Sequence, residues 1–284
     1  MIGPRWRSLL YVPVTSERFV AKAHERGADA IILELEDAVA PSEKERARGL
    51  VADAAARVGQ GGADVLVRVN RPWRLAVRDL EAVIGPNVCA LILPKVDHSE
   101  HVLALAEIAA SVEEERGLPV GHTKFFPRIE GPKGLLNAAG IAAAHPRVVA
   151  IGLGSSDYTI ATGMEAGGAG NAMASFAVVN AARAAGIVPI GLVSSIVDFS
   201  DLDGFRHVAE ESRALGLRGA PCVHPSQVPI LNEVFSPTPA ELERARRVVE
   251  EYERALAEGV GAITVDGDFV DVPFYEQAKR LLAG

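Results

Sequence analysis

Residues 124–140 read Lys124-Phe-Phe-Pro-Arg-Ile-Glu-Gly-Pro-Lys-Gly-Leu-Leu-Asn-Ala-Ala-Gly140. The segment opens with an apolar run typical of a buried strand and closes with small and apolar side chains that predict a helix over 135–143. Between them stand Gly131 and Pro132, residues that favour a tight turn and the first position of a helix. The pattern predicts a strand-to-helix junction that displays the Glu130 carboxylate.

The same unit recurs along the chain. Short, almost continuous apolar runs alternate with longer amphipathic runs, giving about eight strand-then-helix units between Ser8 and Val223. Strands of this kind are buried on both faces, and their alternation with helices is typical of a parallel sheet. An open doubly wound sheet and a closed barrel both fit the alternation. The number of units favours an α/β fold of the (β/α)8 TIM-barrel type over residues 1–235.

Polar residues follow most of the predicted strands. Barrel enzymes draw their catalytic groups from the carboxyl ends of several strands, so this distribution also favours a barrel. The residues are Glu36, Asp37, Arg68, Asn70, Lys95, Glu130, Ser155, Asp157, Ser194, Ser195 and His224.

The pattern changes after the last predicted strand. Pro237 and Pro239 interrupt the chain, a charged helix is predicted over about 240–258, and Asp266-Gly267 between two apolar runs indicates a two-residue hairpin. A last helix is predicted over 273–282. We expect residues 236–284 to form a C-terminal helical and hairpin extension that packs on the barrel or on a neighbouring subunit.

Composition excludes several classes of protein. The 284-residue chain has a net charge of −8, which argues against a nucleic-acid partner. No apolar run approaches the roughly 18–20 residues that a membrane span needs, and the N-terminal run lacks a signal-peptide cleavage pattern. Cys89 and Cys222 have no metal-site spacing and are interpreted as reduced, mostly buried thiols. These features predict a cytoplasmic protein without a membrane partner.

Two carboxylates end consecutive predicted strands, Glu130 and Asp157. Oxygen ligands with open positions around them suit Mg²⁺, which binds through one or two protein carboxylates and keeps water and substrate in its other positions. The alternative is structural: Glu130 pairs with Arg128 or Lys133, and Asp157 caps the following helix.

Arg68 interrupts an apolar strand, where an inward guanidinium is costly unless it meets an anion. That anion is either a substrate oxygen or a nearby carboxylate such as Glu36. Strand alternation places Glu34 and Glu36 on one face, with Asp37 on the other face or in the loop.

Three further features have two interpretations each. Lys95 either forms a Schiff base with a carbonyl substrate or balances the surrounding acids, and we favour the second. His224 is either a base or a structural histidine, and we again favour the second. Gly152-Leu-Gly154 precedes Ser155 but lacks the third glycine of a dinucleotide-binding loop, so we reject that function.

Several segments together resemble the citrate lyase β-subunit-like family, which belongs to the HpcH/HpaI aldolase group. No single segment is decisive, but they occur in order from about residue 7 to the C-terminus. They are Arg7-Ser-Leu-Leu-Tyr-Val-Pro13, Gly27-Ala-Asp-Ala-Ile-Ile-Leu-Glu-Leu-Glu-Asp-Ala-Val39, Val67-Arg-Val-Asn70, Leu93-Pro-Lys-Val96, Ile129-Glu130, Val223-His-Pro-Ser-Gln227 and Asn232-Glu-Val-Phe235.

The resemblance implies a Mg²⁺-dependent lyase that splits a β-hydroxyacyl-CoA, such as malyl-CoA or citramalyl-CoA, into acetyl-CoA and a 2-oxo acid. It implies a homo-oligomer, a trimer or a multiple of it. Alternatives are a free-acid aldolase, an acyl-CoA thioesterase, or a citrate lyase β subunit that acts only within a complex.

The resemblance also assigns roles to individual residues. Metal ligands would be Glu130 and Asp157, and catalytic groups would be Arg68, Glu36, Asp37 and Asp271. Arg68, Glu130, Gly154 and Ser155 would contact the substrate. Asp271 would act from the extension of a neighbouring subunit.

Overall fold

The computed structural model describes residues 3–165, 169–194 and 200–283. Contacts between residues divide the chain into two units, residues 1–235 and residues 236–284, and each is described by itself. Ser195, one of the polar residues predicted to end a strand, lies outside the described residues.

The first unit is built on one sheet of eight parallel strands, whose order is β7-β6-β5-β4-β3-β2-β1-β8. The two ends of this sheet meet, because Gly191 N–H donates to Gly219 O at 2.9 Å and Arg218 N–H donates to Pro189 O at 3.0 Å. The predicted (β/α)8 barrel is therefore confirmed. Its strands are β1 Ser8–Pro13, β2 Ala30–Glu34, β3 Asp64–Arg68, β4 Ala90–Leu93, β5 Lys124–Ile129, β6 Ala150–Leu153, β7 Val188–Pro189 and β8 Ala220–Cys222.

Ten α-helices connect and surround these strands in the described part of this unit, together with 3-10 turns at Pro41–Glu43 and Gly59–Gly61. The α-helices are α1 Glu17–Ala23, α2 Lys44–Val58, α3 Trp73–Val83, α4 Ser99–Glu115, α5 Pro132–Leu136, α6 Ala138–Ala142, α7 Ser155–Thr162, α8 Ala169–Ala185, α9 Leu202–Leu215 and α10 Gln227–Val234.

Alternation along each strand divides the apolar side chains between two cores. One large cluster fills the space between sheet and helices, and a smaller one, which includes Leu9, Ile32, Leu66, Ile92 and Phe126, fills the barrel interior. Strands buried on both faces explain the continuous apolar runs in the sequence. The next inward positions toward the carboxyl ends are polar, and they form the site.

The predicted helix over 135–143 is partly wrong. A short helix already begins at Pro132, and the chain breaks at Asn137 before α6 begins. Asn137 Nδ2 donates to Asp97 O at 2.9 Å and to Lys133 O at 3.0 Å, so its side chain satisfies backbone carbonyls at the break. Side-chain to backbone bonding by asparagine competes with helix continuation.

A buried ion pair ties α4 to the loop before β6. Arg147 Nη1 and Nη2 donate to Glu113 at 2.7 and 2.6 Å, and the Thr123 N–H donates to the same carboxylate at 2.7 Å. Burial alone raises the pKa of Glu113, but these hydrogen bonds outweigh it and lower the pKa to about 2.

Glu113→Ala is expected to lower the free energy of unfolding by about 3–5 kcal/mol, because it leaves the Arg147 guanidinium buried without its partner. Urea unfolding monitored by circular dichroism measures the change. The matched control is Glu114→Ala, which removes an exposed carboxylate one position away. Equal stability of the two variants would contradict the expectation.

The second unit contains a helix, a hairpin and a final helix. They are α11 Pro239–Ala257, β9 Ile263–Val265, β10 Asp268–Val270 and α12 Val272–Ala283. Thr238 caps α11 in a capping box with Glu241. Asp266 and Gly267, at φ 53° and 88°, form the predicted hairpin turn. Tyr252 and its apolar neighbours form a small core of this unit.

Within the described ranges, no helix combines the length and the apolar character needed to cross a membrane.

Candidate active site

The Lys95 ammonium lies at the centre of the candidate site, directly after β4. Its Nζ is 2.8 Å from Glu36 Oε1 and 3.8 Å from Asp37 Oδ1, both of which follow β2. It is also 4.0 Å from Glu130 Oε2, at the end of β5, and 3.9 Å from Asp157 Oδ1, in α7. The predicted gathering of these polar residues at the carboxyl ends of the strands is therefore observed in the structure.

Lys95 is charged in this setting. Burial alone lowers the pKa of its ammonium, but the hydrogen bond to Glu36 and the nearby carboxylates outweigh burial, so the net shift is upward. A protonated amine is not a nucleophile, so this environment favours charge balance over Schiff-base formation.

Arg68 is held inside the barrel by two acids. Its Nε donates to Glu34 at 2.5 Å, and its Nη1 lies 3.1 Å from Glu36 Oε2. Asp37 is more distant, at 3.5 Å from Nη1. The Arg68 guanidinium also lies 5.0 Å from the centroid of the Tyr11 ring, beyond which the barrel interior is apolar. Arg68 can therefore pair with these carboxylates and still contact a substrate oxygen, because its Nη2 has no partner among the described residues.

Burial perturbs the pKa of the two acids beside Arg68. Burial raises the pKa of Glu34 and of Glu36, while the Arg68 charge acts in the opposite direction on both. Glu34 also accepts a hydrogen bond from the backbone N–H of Glu36. Glu34 and Glu36 lie on one face of the strand, as predicted, since both contact Arg68. Asp37 is the exposed member of the three acids.

Glu130 is a buried carboxylate with an unsatisfied oxygen. Its residue is 6% exposed, and Oε2 has no hydrogen-bond partner. Burial raises the pKa of Glu130 to about 7, with Arg128 opposing and with Glu36 and Asp157 adding to the rise. The proposed structural partners do not reach it: within the described residues its ion-pair contact is Lys95, not Arg128 or Lys133.

Two inward-facing glycines on β6 and just after it make room for the side chains of β5. A Cβ at Gly154 would lie 2.9 Å from Glu130 Oε1, and a Cβ at Gly152 would overlap the Ile190 carbonyl and lie 3.0 Å from Arg128 Nη1. Arg128 itself is buried, with Nη2 donating to Leu153 O at 2.8 Å and Nη1 without a partner. The glycine pair thus accommodates a buried arginine and a buried glutamate.

Asp157 lies in the first turn of α7, and its side chain is 41% exposed. Gly154, not Asp157, is the N-cap residue, so the predicted capping role of Asp157 is wrong. The carboxylate remains available to a ligand. The first backbone N–H groups of a helix have no intrahelical acceptor, so Ser155 places a donor at the start of α7, whereas the Gly154 N–H donates to Ile129 O at 2.8 Å.

Sequence reasoning named Arg128, Gly152 and Gly154 but missed that the two glycines leave space for the Arg128 and Glu130 side chains. The signal was present, since Phe126, Arg128 and Glu130 alternate on the inner face of one strand and the two glycines alternate on its neighbour. His224 is exposed, with Nδ1 2.7 Å from Ser226 Oγ. None of its described contacts is with Arg68, Lys95 or the carboxylates of the site.

The donor set fits a hard divalent cation that takes few protein ligands. The unpartnered Glu130 Oε2 and the Asp157 carboxylate both lie within 4.0 Å of the same ammonium nitrogen. No group of three or more His, Cys, Asp or Glu side chains in the described ranges is arranged to hold a metal. Two carboxylates with remaining positions for water and substrate are the usual arrangement for Mg²⁺.

Asp271 belongs to the second unit, between β10 and α12. Its backbone carbonyl accepts from the Tyr275 N–H, and its Oδ1 has no hydrogen-bond partner.

Comparison with known proteins gives consistent results. Citrate lyase subunit beta of Escherichia coli (strain K12) is 34% identical over 282 residues, 98% of this chain and 92% of that protein. (3S)-malyl-CoA thioesterase of Cereibacter sphaeroides (strain ATCC 17029 / ATH 2.4.9) is 36% identical over 287 residues, which cover 98% of this chain and 94% of that protein. L-malyl-CoA/beta-methylmalyl-CoA lyase of Rhodobacter capsulatus is 31% identical over 299 residues, 97% and 93%.

A solved structure agrees with these relatives. CitE from Mycobacterium tuberculosis, in complex with magnesium, acetoacetate and coenzyme A, has a TM-score of 0.77 and 27% identity. The similarity covers 99% of this chain and 97% of that one. The HpcH/HpaI aldolase/citrate lyase family model matches residues 7–225. On this evidence the chain belongs to the HpcH/HpaI aldolase/citrate lyase family.

Proposed function

We propose that the protein is a Mg²⁺-dependent carbon–carbon lyase that cleaves a β-hydroxyacyl-CoA, such as malyl-CoA or citramalyl-CoA, into acetyl-CoA and a 2-oxo acid. The observation that carries the proposal is the buried Glu130 Oε2, which has no hydrogen-bond partner and lies with Asp157 around Lys95 at the barrel mouth. The names of the relatives support it, since they include lyases and enzymes of malyl-CoA.

Glu130 and Asp157 would hold the metal. The similar CitE structure contains magnesium, which supports this assignment. When bound, Mg²⁺ supplies a Lewis acid that polarises the oxygen of the oxo acid. Gly154 and Ser155 would contact the carboxylate of the oxo acid at the start of α7, where a helix favours an anion, with the Ser155 N–H as the donor.

Arg68 would stabilise the enolate oxygen of acetyl-CoA. Glu34 accepts a hydrogen bond from its Nε and Glu36 forms an ion pair with its Nη1, so the guanidinium is oriented before substrate arrives. Its free Nη2 can then donate to the oxygen on which charge develops. Glu36 and Asp37 act through Arg68 and Lys95, so we propose them as positioning residues.

Asp271 would move the proton between the enolate carbon and solvent, acting on the barrel of a neighbouring copy in a homo-oligomer, a trimer or a multiple of it. Phe269, Val272 and Phe274 beside it are 61%, 56% and 50% exposed. Exposed large apolar side chains that flank a polar group are typical of a surface that a partner covers.

We also propose a cytoplasmic setting. Burial raises the pKa of both Cys89 and Cys222 to about 12, so each is a thiol at neutral pH, and neither forms a disulfide. Reduced cysteines suit a reducing compartment.

Gly154→Ala is expected to weaken Mg²⁺ binding by about tenfold or more, because the new methyl group would displace the Glu130 side chain. Isothermal titration calorimetry with MgCl₂ measures the affinity. Gly140→Ala is the matched control, since a Cβ there meets no atom within 4 Å. If Gly154→Ala binds Mg²⁺ as the wild type does, Gly154 does not shape the site.

The experiment for the proposed function is a product analysis. Purified protein is incubated with malyl-CoA or citramalyl-CoA, with Mg²⁺ or with a chelator. We expect acetyl-CoA and a 2-oxo acid only when Mg²⁺ is present. Cleavage that survives chelation would exclude the metal-dependent reaction.

A thioesterase is the second candidate, because one relative carries that name. It would release free CoA and the intact hydroxy acid in the same assay. Release of these products without acetyl-CoA would replace the lyase proposal with this one.

A further inference from the structure

Lys95 makes contacts that the proposed function does not use. Its ammonium lies within 4.0 Å of four carboxylates. Two of these, Glu36 and Asp37, are positioning residues, and the other two are the proposed metal ligands. One positive charge is therefore shared between the groups that orient Arg68 and the groups that would bind the metal.

The backbone of Lys95 has a conformation that is unusual for a residue with a side chain. Its φ is 51°, in the left-handed region that residues other than glycine seldom adopt. Among the described residues the other non-glycine case is Asp266, which lies in a hairpin turn. Arg71 Nε donates to Lys95 O at 3.0 Å, and the Val96 N–H donates to Arg128 O at 3.1 Å, so both sides of Lys95 are fixed. Backbone strain maintained by its surroundings is typical of functional positions.

The position of the ammonium has an electrostatic consequence for a metal. Mg²⁺ binds about 2.1 Å from its ligand oxygens, whereas the Lys95 nitrogen is 4.0 and 3.9 Å from oxygens of the two proposed ligands. A divalent cation held by Glu130 and Asp157 would therefore lie within a few ångströms of a fixed positive charge. Repulsion at that range weakens metal binding in a partly buried site.

We propose that Lys95 is a positioning residue that holds the four carboxylates together and keeps their affinity for Mg²⁺ low until an anionic oxo acid is bound. This inference rests on the proposed function. The carboxylate of the oxo acid, bound at the start of α7, would add a negative charge near both the metal and the ammonium, so it would offset the repulsion. Metal and oxo acid then bind with positive coupling, and by linkage each raises the affinity of the other equally.

Calorimetric titration of MgCl₂ into wild type, Lys95→Met and Lys95→Arg tests the proposal. We expect Lys95→Met, which keeps the side-chain length but removes the charge, to bind Mg²⁺ about tenfold or more tightly than wild type. Lys95→Arg keeps the charge and should stay close to wild type. Lys133→Met removes an exposed lysine beside the site and serves as the control for a general change in charge.

A second titration measures the coupling. With glyoxylate or pyruvate present, wild type should bind Mg²⁺ more tightly than without it, and this gain should shrink in Lys95→Met. Unchanged or weaker Mg²⁺ binding by folded Lys95→Met would overturn the proposal. Circular dichroism shows whether each variant is folded, and if Lys95→Met is not, Lys95→Gln takes its place.

The outcome also separates this inference from the proposed function. If Glu130→Gln abolishes Mg²⁺ binding and the Lys95 variants bind Mg²⁺ as the wild type does, the metal site stands and the role of Lys95 is rejected. If neither wild type nor any Lys95 variant binds Mg²⁺, with or without the oxo acid, both proposals fail.

Discussion

Glu130→Gln is expected to abolish measurable Mg²⁺ binding and to lower kcat/KM for the acyl-CoA substrate on the order of 10³-fold or more, because it removes an anionic ligand and with it the Lewis acid. Gln has nearly the same shape, so the barrel should remain folded. Calorimetry and a kinetic assay of acetyl-CoA release measure the two effects.

Thermal unfolding adds an independent measurement for this variant. Burial raises the pKa of Glu130 to about 7, so the ionised carboxylate is disfavoured in the folded protein. Because the pKa of Glu130 is higher in the folded than in the unfolded protein, its ionisation lowers the free energy of unfolding as the pH rises above the unfolded-state pKa. The loss is complete above pH 7. At pH 8 and without Mg²⁺, Glu130→Gln should therefore melt at the same temperature as wild type or higher.

Glu115→Gln, which alters an exposed glutamate at the end of α4, is the control. It should bind Mg²⁺ as wild type does. Undiminished Mg²⁺ affinity in Glu130→Gln would contradict the assignment of Glu130 as a ligand.

Asp271→Asn is expected to lower kcat by about 10²–10⁴-fold while leaving Mg²⁺ and oxo-acid binding unchanged, since it removes a group that transfers a proton but no ligand. Steady-state kinetics and calorimetry on the same preparation separate the two effects. Asp268→Asn, in the same hairpin and with a solvent-exposed ion pair to Arg244, should change activity little. Full turnover by Asp271→Asn would remove this residue from the mechanism.

Mixed oligomers test whether Asp271 acts on another copy. In a mixed oligomer, an Asp271→Asn chain still has the intact Glu130 in its barrel. A neighbouring Glu130→Gln chain still has an intact Asp271, which can complete that site. If the two inactive variants are unfolded and refolded together, part of the wild-type activity should return. Activity that stays absent in oligomers shown to be mixed would place Asp271 in its own chain or outside the reaction.

Much of the fold could be predicted because its signals are local. Strands buried on both faces give continuous apolar runs, and the residues after them necessarily meet at one end of a parallel barrel. That geometry alone brought Glu36, Arg68, Lys95, Glu130 and Asp157 together. The Asp266-Gly267 turn was equally predictable, since its backbone requirement is visible in the residue types.

The rest depended on contacts between distant segments. The break at Asn137 arises from a hydrogen bond to Asp97, about which the helix pattern carries no information. The space beside Glu130 depends on glycines of the next strand, and the reach of Lys95 to four acids depends on its left-handed backbone. The acids predicted at the strand ends could indicate that Lys95 balances them, but not that it contacts both proposed metal ligands.

The most direct measurement is a crystal structure of the protein with Mg²⁺ and glyoxylate or pyruvate. We expect one metal ion bound by Glu130 and Asp157, with the oxo acid on the metal and its carboxylate at the start of α7. A covalent adduct on Lys95, or an oxo acid bound away from these two carboxylates, would contradict the account.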